Sequence, residues 1–301
     1  MLDTRHPIAR TRALIEAGLQ QHLPQGGQHC AARLNQAVHA AMFPGGKRLR
    51  PIFSLLAAQA AGGEVEPALP AACAVEFLHA SSLIFDDLPA MDDAGLRRGR
   101  AALHLDFGED IALLAALTLL NRAYAIFGVS PRLMAEAVAC IGENGMIGGQ
   151  SVDLASRTED VDWQAQAASR NQKTVALMRL TLVSGALACG SSDAAAAALA
   201  RSGEALGEAY QVCDDLLDVS TPWQITGKTP RQDERHQRAS PVPAQGEEAC
   251  RQQVVQLTLR AKATLYEQFG QTAAVAALTA AIDHVVRLPA RLPASQFAVM
   301  A

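Results

Sequence analysis

Four stretches of this 301-residue chain are long, apolar and rich in alanine and leucine: 67–85, 110–127, 172–189 and 193–219. Ala and Leu lose little freedom in a helix, whereas strands favour β-branched and aromatic side chains. Aromatics are only 4% of the chain. No alternating apolar–polar series and no fixed-period repeat competes with the helical reading. The sequence therefore predicts one all-α domain over residues 1–301, a bundle of about ten or more helices. Gly and Pro punctuate the intervals at Pro44-Gly45-Gly46, Gly62-Gly63 and Gly148-Gly149. The polar, proline-containing segment Thr221–Glu248 is the best candidate for a long mobile loop, and loops of this length are usually functional or disordered.

Charge and cysteine usage exclude several classes. The net charge is −4, so the chain is not a general nucleic-acid binder, although local basic clusters can still hold anions. The cysteines at 30, 73, 140, 189, 213 and 250 form no CxxC pair, which argues against zinc ribbons and thioredoxin-type redox chemistry. Scattered cysteines suit a reducing cytoplasm. The N-terminal residues are polar and lack the apolar core of a signal peptide. The longest clean apolar run, Ile111–Leu120, is too short to cross a bilayer, so no transmembrane segment is expected.

Two acidic clusters follow apolar helices: Asp86-Asp87 with Asp92-Asp93, and Asp214-Asp215 with Asp218. Asp214 and Asp218 are four apart and share a helix face, where like charges repel. A helix gains nothing from that pair by itself. Asp86 and Asp92 are six apart, about 600° of ideal helix, and would face apart. Pro89 between them breaks the helix and can turn Asp92 back toward Asp86. Clustered carboxylates call for cations, and Mg²⁺ commonly takes one or two of them together with substrate phosphates.

Basic groups stand nearby. Gly45-Gly46-Lys47-Arg48-Leu49-Arg50-Pro51 follows a turn, and Leu96-Arg97-Arg98-Gly99-Arg100 follows the first acidic cluster. Arginine forks suit phosphate, and Arg97 and Arg98 next to carboxylates favour an anion site over a solvated charge run. A nucleotide P-loop fails at Pro222–Thr229, where Pro222 replaces the first glycine and an acidic helix, not a strand, precedes. His79 lies one to two turns before Asp86, where a lone histidine is more often a satisfied core residue than a ligand. Gln150 and Asp153 share a helix face. Taken alone, neither these two nor Lys173-Thr174 call for a function.

In order along the chain, these motifs resemble the trans-isoprenyl diphosphate synthases. The matching residues are Gly45–Pro51, Asp86–Asp92 with Leu96–Gly99, Gly149–Leu154, Lys173-Thr174, Asp214–Asp218 and Gly227-Lys228. The match runs from about 40 to 240. Six motifs in sequence are far more specific than any single Asp-rich one. The resemblance implies a helical bundle around a central cavity, a homodimer, and Mg²⁺, three ions once diphosphate is bound. Asp86, Asp87, Asp92, Asp214, Asp215 and Asp218 would serve the metal. Arg97, Lys173 and Lys228 would hold an allylic diphosphate. Gly46, Lys47, Arg50, His79 and Arg98 would hold isopentenyl diphosphate. Gln150, Thr174 and Gln211 would flank the allylic cation, and a loop at Thr221–Ser240 would close over it. Phe85, where the family often has His, the Arg231-Gln232 pair and Arg238 depart from the family pattern.

The resemblance also implies a product length. The tail should run along the helix before Asp86, and one turn, about 5.4 Å, is close to one isoprene unit. Short-chain bacterial relatives carry an aromatic five residues before the first Asp. Here Ser81 and Ser82 are small, so the tail passes to Phe77 or Leu78. This resembles bacterial geranylgeranyl diphosphate synthases and points to a C20 product, with farnesyl diphosphate (C15) next. A terpene cyclase needs no second diphosphate pocket, so Lys47, Arg50 and Arg98 argue against it. A non-catalytic regulatory subunit would be expected to lose an Asp motif, and both stand here.

Overall fold

The computed structural model describes residues 5–27, 30–155, 163–220 and 245–287. The helices are α1 (Arg5–His22), α2 (Ala32–Met42), α3 (Leu49–Ala60), α4 (Val65–Asp87), α5 (Leu103–Phe107) and α6 (Glu109–Phe127). They continue as α7 (Pro131–Ile141), α8 (Met146–Ala155), α9 (Trp163–Ala188), α10 (Asp193–Ser220), α11 (Glu247–Phe269) and α12 (Ala273–Val285). The four apolar stretches of the sequence are thus α4, α6, α9 and α10. The helix around Gln172 starts earlier than expected, at Trp163, because its first turns carry no apolar run to announce them. The proposed closing loop, Lys228, Arg231-Gln232 and Arg238 lie outside the described residues.

Helices α4 and α9 form the centre. Helix α9 packs on α3, α4, α8 and α10, while α4 also packs on α6 and α10 also packs on α11. Phe53, Phe77, Phe127, Leu119, Leu180 and Leu199 are fully buried among them. Each such side chain contributes about 1.5–3 kcal/mol of transfer free energy. By length and hydropathy alone α4 and α6 could each cross a membrane, which the longest-run argument overlooked. Two-thirds of the apolar window of α4 is buried inside the fold, as in a core helix. Helix α6 instead turns Leu113, Leu114 and Leu117 outward.

Three local devices set the site. The first ends α4. Leu88 precedes Pro89 and is extended (φ −61°, ψ 150°), as a residue before proline prefers, so the helix stops at Asp87. The chain then folds back: Asp92 N–H donates to the Asp86 carbonyl at 2.9 Å and Ala94 N–H to that of Asp87 at 3.2 Å. The return that Pro89 led us to expect is therefore present. The second is a small ribbon the sequence did not reveal, β1 (Leu96–Arg97) paired antiparallel with β2 (Arg100–Ala101). Its turn residues Arg98 and Gly99 both have positive φ, as a tight two-residue hairpin turn requires. The third joins α9 to α10. A Cβ on Gly207 would lie 2.7 Å from Val175 Cα, and one on Gly203 2.8 Å from Arg179 Cα. The absent side chains let the two backbones approach, and the same face continues at four-residue steps to Gln211 and Asp215.

Candidate active site

The acidic side is built on α4, α8, α9 and α10. Lys173 donates to both Asp86 oxygens at 2.7 Å and to Gln150 Oε1 at 2.7 Å. Its neighbour Thr174 donates to Gln211 Oε1 at 2.8 Å, and Gln211 donates to Asp215 Oδ1 at 3.0 Å. Adjacent residues of α9 thus connect the two acidic motifs, one to each. Burial pushes the Asp86 carboxyl above its ordinary range; Lys173 opposes this, and the charge of Asp92 adds to it. Asp87 turns the other way. It is buried and accepts a forked pair from Arg97, whose Nε lies 3.0 and 2.9 Å from its two oxygens. Asp214 is half-buried on α10; Asp218 belongs to the same helix, and its side chain is outside the described set. Among the described residues, no three acidic, histidine or cysteine side chains converge on a point that would hold a metal.

The basic side gathers at the starts of α3 and β1 and on α4. Arg50 Nη1 lies 3.2 Å from His79 Nε2. The Arg50 Nε is buried with no hydrogen-bond partner among the described residues. Burial, then the positive charges of Arg50, Arg98, Arg97 and Lys173, holds the His79 imidazole well below its ordinary 6.5. His79 is therefore not merely a core residue; it stands in the field of four cations, two of which, Lys173 and Arg97, are paired with Asp86 and Asp87. Gly46 makes room for Arg98, whose guanidinium would lie 3.1 Å from a Cβ there. Lys47 is exposed at the edge of this group. An orphaned guanidinium nitrogen among like charges fits a multiply charged anion.

An apolar cavity of about 300 Å³ opens against the acidic side. Phe85, Ser82, Ser81 and Leu78 line it from α4, with Leu120 of α6, Ile141 of α7 and Met146 and Ile147 of α8 opposite. Asp86, Gln150 and Lys173 stand at its polar end. Ser81 donates to the Ala116 carbonyl at 2.8 Å, so its hydroxyl is satisfied and leaves the wall apolar. The departure at Phe85 places one more apolar group in this wall. Phe77 needs correction: it does not line the cavity but is fully buried in the core. Residues 78, 81, 82 and 85 form one stripe, and 77 stands about 90° from its centre at 100° per residue. Leu78 is the lining residue of α4 farthest from Asp86. The walls from α6, α7 and α8 went unread, since apolar residues in helices carry no separate signal for lining a cavity.

The comparisons with known proteins agree with this arrangement. A profile described as polyprenyl synthetase matches residues 31–269. The chain belongs to the polyprenyl synthetase family. A dimethylallyltranstransferase of Fischerella ambigua is 35% identical over 268 residues, covering 86% of this chain and 77% of that protein. Geranylgeranyl pyrophosphate synthase 7, a chloroplastic protein of Arabidopsis thaliana, is 39% identical, covering 67% of this chain and 61% of its own length. Among solved structures, an FPP/GFPP synthase of Zymomonas mobilis superposes with a TM-score of 0.77 at 27% identity, covering 92% of this chain and 99% of that one. Family membership and the all-α fold, both expected from the ordered motifs, are thereby established.

Proposed function

We propose that this polyprenyl synthetase is a prenyltransferase that condenses isopentenyl diphosphate with an allylic diphosphate, making geranylgeranyl diphosphate. The observation that carries the reading is an apolar cavity whose polar end holds Asp86, Gln150 and Lys173, with a basic cluster of Arg50, His79 and Arg98 nearby in which the buried Arg50 Nε has no partner among the described residues. An allylic diphosphate has an apolar tail for the cavity and a charged head for its polar end. The Asp86 and Asp92 carboxylates, folded together by the Pro89 turn, offer the hard oxygen donors that Mg²⁺ prefers. Together with Asp87, Asp214, Asp215 and Asp218 they would hold the metal, which supplies Lewis-acid stabilisation of the departing diphosphate.

This chain's residues do the rest. Lys173 already lies against Asp86 and exchanges that partner for the allylic diphosphate; Arg97 and Lys228 add to its binding. Gly46, Lys47, Arg50, His79 and Arg98 bind isopentenyl diphosphate and aim its double bond at the allylic carbon. Gln150, Thr174 and Gln211 present oxygen atoms near the developing cation. The apolar walls exclude water that would quench it. Most of the catalysis is orientation and electrostatics.

The cavity passes both serines and ends at Leu78, eight residues or about 12 Å of helix before Asp86. That depth supports C20, with C15 as the runner-up. The outward leucines of α6 support a second copy of the chain packed on that face. Incubating purified protein with Mg²⁺, labelled isopentenyl diphosphate and dimethylallyl, geranyl or farnesyl diphosphate tests the reading. A C20 product supports it. A C15 stop removes the depth argument but keeps the enzyme class. Folded protein that elongates no primer would point to the regulatory-subunit reading.

A further inference from the structure

Arg48 lies between Lys47 and Arg50 but faces the other way. It is buried, and its backbone is left-handed (φ 53°). Its guanidinium donates to Glu16 at 2.9 Å, to Glu76 at 2.9 Å and to the Met42 carbonyl at 2.6 Å, and it lies over the Phe43 ring at 5.5 Å. Gly45 makes room for it: a Cβ there would lie 1.9 Å from the guanidinium carbon. Burial alone would lower its pKa, but Glu16 and Glu76 more than offset this and leave it raised.

The two carboxylates are not equivalent. The Glu16 side chain is 32% exposed and can turn to water; that of Glu76 is 4% exposed and cannot. Glu76 sits one turn before His79 on α4, so it faces the same side as the imidazole that meets Arg50. Its negative charge is felt by both Arg50 and Arg98. A buried carboxylate without a partner must take the nearest cation or be neutralised.

We propose that Arg48 is a positioning residue that occupies Glu76 and thereby keeps Arg50 and Arg98 open to an incoming diphosphate. This rests on the proposed reading of Arg50 and Arg98 as the isopentenyl diphosphate site. Charge matters here as much as shape. Without Arg48, Glu76 draws the two arginines to itself, and the anion must compete with an internal carboxylate. Removing Glu76 as well relieves that competition, although two buried contacts have then been lost.

Calorimetric binding of isopentenyl diphosphate to the full chain, without Mg²⁺ or turnover, tests this in wild type, Arg48→Met, Glu76→Gln and the double variant. Thermal melts confirm that each is folded. Arg48→Met should weaken binding at least about tenfold, as expected for an unmasked buried carboxylate. The double variant should recover most of that loss, and Glu76→Gln alone should bind as tightly as wild type or tighter. A merely structural Arg48 predicts the opposite order, with the double variant worst. Equal binding by wild type and Arg48→Met overturns the proposal while leaving the proposed function intact. Should Arg48→Met not fold, weakened binding by Glu76→Gln overturns it and preserved binding upholds it. A wild type that does not bind isopentenyl diphosphate overturns both the proposal and the reading of the basic cluster.

Discussion

On the acidic side Asp86 is held by Lys173 and Asp87 by Arg97, so these carboxylates already have cations of the chain's own. On the basic side Arg50 faces His79, with Arg98 contributing further positive charge, and the buried carboxylate of Glu76 is taken by Arg48. The acidic side is therefore the one that must rearrange. The basic side is preorganised for an anion and should bind isopentenyl diphosphate without large movement. The acidic side has to exchange partners, lysine for metal and diphosphate, before it can act.

Removing the carboxylate at the centre of the acidic side should have the largest effect. Asp86→Asn should lower kcat about 10²–10³-fold or more, by analogy with the loss of a preorganised electrostatic contact, in a steady-state assay. Its melting temperature should change far less, since the carboxylate's partner Lys173 is half-exposed and can turn to water. On the basic side Arg50→Met should raise KM for isopentenyl diphosphate about 10–100-fold, the size of one or two charge-assisted hydrogen bonds. The allylic KM should stay within a few-fold.

A change confined to the cavity should disturb neither charged end. Ser82→Phe should shorten the product by one isoprene unit, and Leu78→Ala should lengthen it, both at nearly unchanged KM values. Chromatography of the dephosphorylated products reads this directly. The smallest effect concerns pH. The folded His79 pKa lies below 6.5, so below that pH the unfolded chain takes up a proton that the folded chain resists. Stability should therefore fall as pH drops below 6.5, and isopentenyl diphosphate should offset the loss by favouring the charged imidazole. Melting temperatures at pH 7.0 and 5.5, with and without that ligand and with His79→Asn as control, check the sign.

Much of this was legible in the sequence for identifiable reasons. Apolar runs rich in Ala and Leu marked α4, α6, α9 and α10, and Pro89 marked both the end of α4 and the return of Asp92. Conversely, the β1–β2 ribbon has strands of two residues, too short for an alternating pattern to show. Phe77 was misplaced because nearness along a helix stood in for helical face. The carboxylates that hold Arg48 are 32 and 28 residues away, so its pairing could be seen only in three dimensions. Nor could Gly203 and Gly207 be read as the contact that brings Gln211 against Thr174, since glycine in a helix carries no signal of its neighbour.

The division of labour between the two sides is tested most directly by crossing two variants with two substrates. Initial rates of Arg50→Met and Lys173→Met would be measured with isopentenyl diphosphate varied at saturating allylic diphosphate, and then the reverse. With the two sides divided in this way, Arg50→Met should raise only the isopentenyl KM and Lys173→Met only the allylic one. Both variants moving the same substrate's KM would contradict it.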